Sequence, residues 1–180
     1  MNIKGSKILL RALEESDLEN LRFLINDSET EYSVVGWSFP ISQYEQRRWF
    51  ENQINSNVKR FIVESLDSKT FVGMLILSDL DWKNRTALIG IKLDSRFRGQ
   101  GFGYDCYKTL LKYCFEELQL HKIESCCLED NLSSLNLHLK CGFKKEGLKR
   151  EVIFKKGKYH NIIILGLLHN EFFSTTISKN

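Results

Sequence analysis

The sequence predicts an α+β fold built on one central mixed sheet, mostly antiparallel, with helices on both faces. Three observations carry this. Strand-like runs in the middle of the chain are joined by short turns and form an antiparallel meander. A glycine-rich stretch then opens a long amphipathic segment, and the chain closes with strand, helix and hairpin.

Taken in order, Ile8 to Arg11 reads as a short strand. Glu15-Ser16-Asp17 opens a helix carrying Leu18, Leu21 and Leu24, and a second helix starts at Ser42, after Pro40. Between them, Asp27, Glu29 and Glu31 precede an aromatic connection from Tyr32 to Pro40 that includes Trp37 and Phe39. A connection of this length and composition either lids a pocket or packs beneath the helix pair. Strands follow at Arg60 to Ser65, Phe71 to Leu80 and Thr86 to Leu93, separated by hairpin-type loops. After the glycine-rich stretch, Cys106, Tyr107, Leu110, Leu111, Cys114, Phe115 and Leu118 recur at helical spacing. Next come a strand at Lys122 to Leu128, a helix from Asn131 to about Lys140 ended by Gly142, and strands near Phe143 to Phe154 and Tyr159 to Leu168. Lys155-Lys156-Gly157-Lys158 forms the turn between the last two. Residues 1–172 are expected to form a single domain, and residues 173–180 a frayed Ser/Thr-rich tail.

Composition narrows the class of function. At 180 residues, 42% hydrophobic and 12% aromatic, the chain is long enough for a real core. Its net charge of +3 is dispersed, which suits an anionic small ligand and gives no specific case for nucleic acid. Five cysteines without metal-ligand spacing predict reduced thiols, no bound metal and a cytoplasmic location. No apolar run reaches membrane-spanning length.

The stretch from Asp94 to Tyr104 is the most informative. Gly99, Gly101 and Gly103 let the backbone turn and approach a ligand closely, and the unpaired amides at the following helix start suit phosphate. The plain alternative is a tight strand-to-helix connection. The run lacks the features of a dinucleotide-binding fingerprint or a Gly-Lys-Ser/Thr loop. The spacing Arg98-x-x-Gly101-x-Gly103 resembles the pyrophosphate-binding motif of the GNAT superfamily of acyl-CoA N-acyltransferases. A second stretch, Asn131-Leu132-Ser133-Ser134 with Gly142-Phe143 downstream, is similar to a further pattern of that family.

The resemblance implies a GNAT fold in which the Thr86–Leu93 and Lys122–Leu128 strands splay to form a notch for acetyl-CoA. It implies pyrophosphate contacts from Arg98, Gly99, Gln100, Gly101, Phe102, Gly103 and Tyr104, pantetheine pairing with Ile91 and Leu93, and CoA contacts from Asn131 and Ser134. His138 stands where relatives carry a tyrosine that protonates the departing thiolate, so it is the candidate catalytic acid; its bland role is packing. Helical spacing puts Leu132, Leu135 and Leu139 on one stripe, expected to face the core, with Asn131, Ser134 and His138 beside it. Cys141 is more plausibly buried than nucleophilic.

The closing segment, with Gly147 and Gly157-Lys158-Tyr159, looks like that of ribosomal-protein, diamine (spermidine) and nucleotide-aminosugar acetyltransferases, with Asn161 in place of a usual acidic residue. The glutamate that serves many relatives as general base is replaced by Leu88, with Glu64, Asp79 and Asp81 as substitutes or as plain surface charge. An alkylammonium of pKa near 10 is neutral for about one part in a thousand at pH 7, and an α-amine near 8 for roughly a tenth. The missing base therefore favours an aminosugar, a peptide α-amine or a small weakly basic amine over a polyamine. An acidic, aromatic lid would instead favour a small cation. The expected partners are acetyl-CoA and a small-molecule amine or peptide N-terminus, with no nucleic acid and no membrane; a homodimer is left open. The alternatives are polyamine acetylation and a degenerate acyl-CoA-binding regulatory module.

Overall fold

The computed structural model describes residues 1–36, 39–55 and 57–177. Among these, eight strands form one sheet in the order β1-β2-β3-β4-β5-β6-β8-β7. They are β1 (Ile3–Lys4), β2 (Ile8–Ala12), β3 (Lys59–Ser65), β4 (Phe71–Asp81), β5 (Thr86–Leu93), β6 (Lys122–Leu128), β7 (Lys144–Lys155) and β8 (Lys158–Leu168). All neighbours run antiparallel except β5 and β6.

Six α-helices among the described residues flank the sheet: α1 (Leu18–Asn26), α2 (Ser28–Ser33), α3 (Gln43–Glu51), α4 (Phe102–Glu116), α5 (Leu132–Cys141) and α6 (His169–Ile177). The main core lies between the sheet and α4, α5 and α6. It is built from Leu110, Leu111 and Phe115 of α4 against Ile8, Leu75, Ile89, Ile123 and Leu165. A smaller cluster on the opposite face joins Leu21 of α1 to Ile62 and Met74, with Trp49 of α3 packed on it. Helices therefore cover both faces.

Local chemistry explains most boundaries. Ser42 and Glu45 form a reciprocal capping box at the start of α3. Gly142 ends α5 at φ 100, a left-handed conformation suited to glycine. The segment after α1 differs from a plain connection: the Asp27 carboxylate accepts from the Thr30 amide and hydroxyl at 2.8 and 2.6 Å, nucleating α2. At the other end α6 runs through residues 173–177 of the expected tail, with Phe172 packed on Phe115. Residues 178–180 lie outside the described residues, as do Trp37 and Ser38 of the aromatic connection.

The stripe expected on α5 is turned. Leu132 and Leu139 are 64% and 44% exposed, whereas Leu135, His138 and Cys141 face the core. The reason is polar: His138 finds three partners inside, so burying it leaves no ring nitrogen unsatisfied.

Candidate active site

The parallel pair positions the site. β5 and β6 pair only from Thr86↔Lys122 to Leu88↔Glu124, although β5 stays paired with β4 to Leu93 and β6 with β8 to Leu128. Beyond Leu88 the two strands separate and open a notch. The Ser125 hydroxyl lies 2.9 Å from the Ile89 carbonyl, which shows that this carbonyl faces β6. By strand alternation, the N–H and C=O groups of Ile91 and Leu93 face the notch as well. A ligand with amide groups can pair with this edge as a strand would.

The floor of the notch continues into the glycine-rich loop. A 3-10 turn at Ser95–Phe97 leads to Gly99 and Gly101, at φ 74 and 86, and Gly101 caps α4. A Cβ at Gly103 would press on Leu93 and Leu137 at 3.3 and 3.2 Å, so glycine there lets α4, β5 and α5 converge. The Asp105 carboxylate accepts from the amides of Ser6, Lys7 and Ile8 at 2.7–3.2 Å, which pins the first turn of α4 to the β1–β2 turn.

Of the residues singled out from sequence, Ile91, Leu93, Arg98, Gly99, Gly101, Gly103, Tyr104, Asn131, Ser134 and His138 all line this one notch. Gln100 and Phe102 flank it. The Gln100 side chain donates to the Arg96 carbonyl at 2.7 Å, and the Phe102 ring packs edge-on against Phe97. The Arg98 guanidinium donates to Glu29 Oε1 and Thr30 Oγ1, both at 2.6 Å, and more loosely to the Leu93 carbonyl, so it fastens α2 to the loop. Asn131 caps α5 through Oδ1 to the Ser134 amide, while its Nδ2 donates to the Ser33 carbonyl at 2.8 Å.

His138 is 1% exposed. Its Nδ1 lies 2.7 Å from the Ser134 carbonyl, which only accepts, so Nδ1 carries the proton. Nε2 then accepts; it is 2.8 Å from Ser125 Oγ and 3.2 Å from the Tyr107 hydroxyl. Burial pushes the imidazole below its ordinary value, against the opposing effect of the Ser134 hydrogen bond, so the ring is neutral at pH 7. Burial raises the Tyr107 phenol.

The acidic cluster before the notch is turned toward the fold's own groups. Asp27 caps α2, Glu29 binds Arg98, and Glu31 lies 3.9 Å from Lys92. Among the described residues no aspartate or glutamate lines the notch. The α2 side of the wall is supplied by Thr30, Ser33, Val34 and Val35, while Tyr32 and Phe39 are 44% and 71% exposed. Glu64 pairs with Arg11, Asp81 binds the Asn84 amide and side chain, and Asp79 sits at a positive-φ bulge position, so each keeps a structural place away from the notch. Cys141 is buried.

Sequence reasoning missed Lys155, read there as part of a turn. It is the last residue of β7, 5% exposed, and its ammonium donates to the carbonyls of Glu31, Val34 and Gly36 at 2.5–2.7 Å. It also missed Ser125, Tyr107 and Lys92. The signal available for Lys92 was a lone cation inside an apolar strand.

The residues suit acetyl-CoA: a splayed strand edge for an amide-bearing arm, then a left-handed glycine loop and helix start for phosphates. Comparison with known proteins agrees. A family profile described as an acetyltransferase (GNAT) domain matches residues 7–144. The uncharacterized SPbeta prophage-derived N-acetyltransferase YokL of Bacillus subtilis is 33% identical over 168 residues, covering 93% of each chain. The spermidine N(1)-acetyltransferase of Vibrio cholerae is 28% identical over 173 residues, covering 94% of this chain and 98% of that one. A crystal structure of the Vibrio cholerae spermidine N-acetyltransferase with CoA and spermine superposes with a TM-score of 0.86 at 27% identity, over 94% of this chain and 99% of the other. Splayed strands, glycine loop and profile agree, and the chain belongs to the GNAT family of acetyl-CoA-dependent N-acetyltransferases.

Proposed function

We propose that this N-acetyltransferase acetylates a weakly basic amine by direct attack in a ternary complex, residues 1–172 acting as one domain. The acceptor class is an aminosugar, a peptide α-amine or a small amine. The carrying observation is that no carboxylate among the described residues lines the notch, so no anionic side chain there selects an alkylammonium or serves it as a base. Bound acetyl-CoA supplies an activated acetyl thioester. The Ile91 and Leu93 edge would hold its pantetheine arm and offer amides to developing negative charge on the thioester oxygen. The amides of Gly99 to Tyr104, with Arg98 and Gln100, would hold the pyrophosphate, flanked by Phe102, Asn131 and Ser134.

In this reading His138 moves a proton at Nε2, through the hydroxyl of Tyr107, a residue that also lines the notch. A neutral imidazole suits this: it accepts before it donates. The reading carries a cytoplasmic location, supported by the odd cysteine count without metal-ligand spacing. No helix among the described residues is long and apolar enough to cross a membrane.

The likeness to the Vibrio cholerae enzyme favours a second reading, polyamine acetylation. The test is CoA release with acetyl-CoA and a panel of spermidine, diamines, aminosugars, amino acids and peptides between pH 6.5 and 8.5. Turnover confined to weakly basic amines is expected. Rapid turnover of spermidine at neutral pH would overturn the first reading in favour of the second.

A further inference from the structure

We propose that the acceptor amine carries an anionic group, a carboxylate or a phosphate, and that Lys92 is the side chain that binds it. The inference rests on the reading of the notch as the acetyl-transfer site and narrows the acceptor within it.

On β5, Ile91 and Leu93 turn toward the main core. Lys92 and Gly90 turn to the opposite face, in register with Met74 and Ile76. A lysine is out of character among these neighbours. Its side chain is only 20% exposed, it lines the notch, and Nζ is 3.9 Å from Glu31 Oε2, beyond hydrogen-bond length. Among the described residues, Nζ makes no hydrogen bond. Three N–H donors held largely away from water with one loose ion pair are poorly satisfied, and an incoming anion satisfies them.

Two comparisons inside the molecule sharpen the case. Lys155 is buried on the same side of the site, but its three donors are matched by three carbonyls. Arg98 and Lys140 also line the notch, but the first is bound to α2 in the glycine loop and the second lies over the Tyr104 ring at the start of α4. Lys92 is thus the cation set apart from the loop expected to take pyrophosphate. Room for a ligand lies two residues away, since a Cβ at Gly90 would meet nothing within 4 Å. Burial lowers the Lys92 ammonium from its ordinary value and Glu31 opposes this; a bound anion adds to the effect of Glu31.

The plain alternative is that Lys92 only fastens α2 to β5 through Glu31. Calorimetric binding to the CoA-saturated full chain separates the two. The probes are phenylalanine against phenylalaninamide and phenethylamine, glucosamine 6-phosphate against glucosamine, and spermidine. In one pair the member that carries the anion should bind at least tenfold more tightly than its counterpart without it, and which pair responds identifies carboxylate or phosphate. Lys92→Met should abolish that preference and raise the KM of the preferred acceptor at least tenfold. Lys92→Arg should keep the preference.

Equal binding within both pairs, tightest binding of spermidine, or a preference that survives in Lys92→Met would each overturn the proposal. A Lys92→Met protein that loses stability yet keeps the preference assigns Lys92 to fastening alone. Failure of the acetyl-transfer reading shows separately, as a wild type that does not bind acetyl-CoA; the anion preference is read on that same protein without cofactor.

Discussion

His138 carries the largest consequence of any single side chain in the site, because its protonation is set by burial. The neutral ring fits among Ser134, Ser125 and Tyr107 with one donor and one acceptor. Its pKa in the folded chain is lowered below the unfolded value of about 6.5, so the unfolded chain binds more protons in the window beneath that value. The contribution to stability is therefore complete above about pH 6.5 and is lost as pH falls through the folded pKa. Urea unfolding at pH 5, 6, 7 and 8 should show this acid-side slope, and His138→Gln should flatten it. His138→Ala removes the ring and leaves two buried hydroxyls short of a partner, and should cost about 2–4 kcal/mol. Because the neutral ring needs no ground-state proton at Nε2, wild-type turnover should rise between pH 6.5 and 8.5 as the acceptor loses its proton. A decline over that range would show that a protonated His138 is required.

Among the elements, the glycine-rich loop and α2 are coupled. Gly101 combines a left-handed backbone with the N-cap of α4, so Gly101→Ala should destabilise the fold by about 1–2 kcal/mol and weaken acetyl-CoA binding. Gly147 has no positive φ and open space around it; Gly147→Ala should stay within about 0.5 kcal/mol of wild type. Denaturant titration with calorimetry on both variants checks the contrast. On the other wall, α2 is too short to hold its place by helix propensity and is tied down by Arg98 at one end and Lys155 at the other. Lys155→Met strands three carbonyls and should cost about 2–3 kcal/mol, with faster amide exchange concentrated in residues 28–36. Uniform acceleration across the sheet would show instead that Lys155 supports the whole fold.

At the scale of the molecule, the notch is a defect in an otherwise continuous sheet, and ligand binding should repair it. Acetyl-CoA at about a hundred times its Kd should add about 2.7 kcal/mol, which for a chain of this size raises the Tm by roughly 5–10 °C. A thermal melt with and without the cofactor measures it, and no shift would count against the notch as the binding site. Much of this architecture was legible beforehand. Period-two and helical patterning located β5 and β6 to the residue, and the glycines at 99, 101 and 103 marked the loop, because local backbone geometry is written locally. The face of α5 was misjudged, because hydropathy counts leucines and cannot see that Ser125 and Tyr107 wait for a histidine. α2 was missed because its cap is one aspartate and its restraints, Arg98 and Lys155, come from far along the chain. What the sequence by itself determined is the family, the two strands that frame the notch and the glycine-rich turn between β5 and α4. Only the tertiary structure decided the charge of the notch wall, since Asp27, Glu29 and Glu31 read as an acidic lid until Arg98, Lys92 and their own helix were seen to engage them. Net electrostatics depends on which charges meet, and that is fixed by contacts between distant parts of the chain.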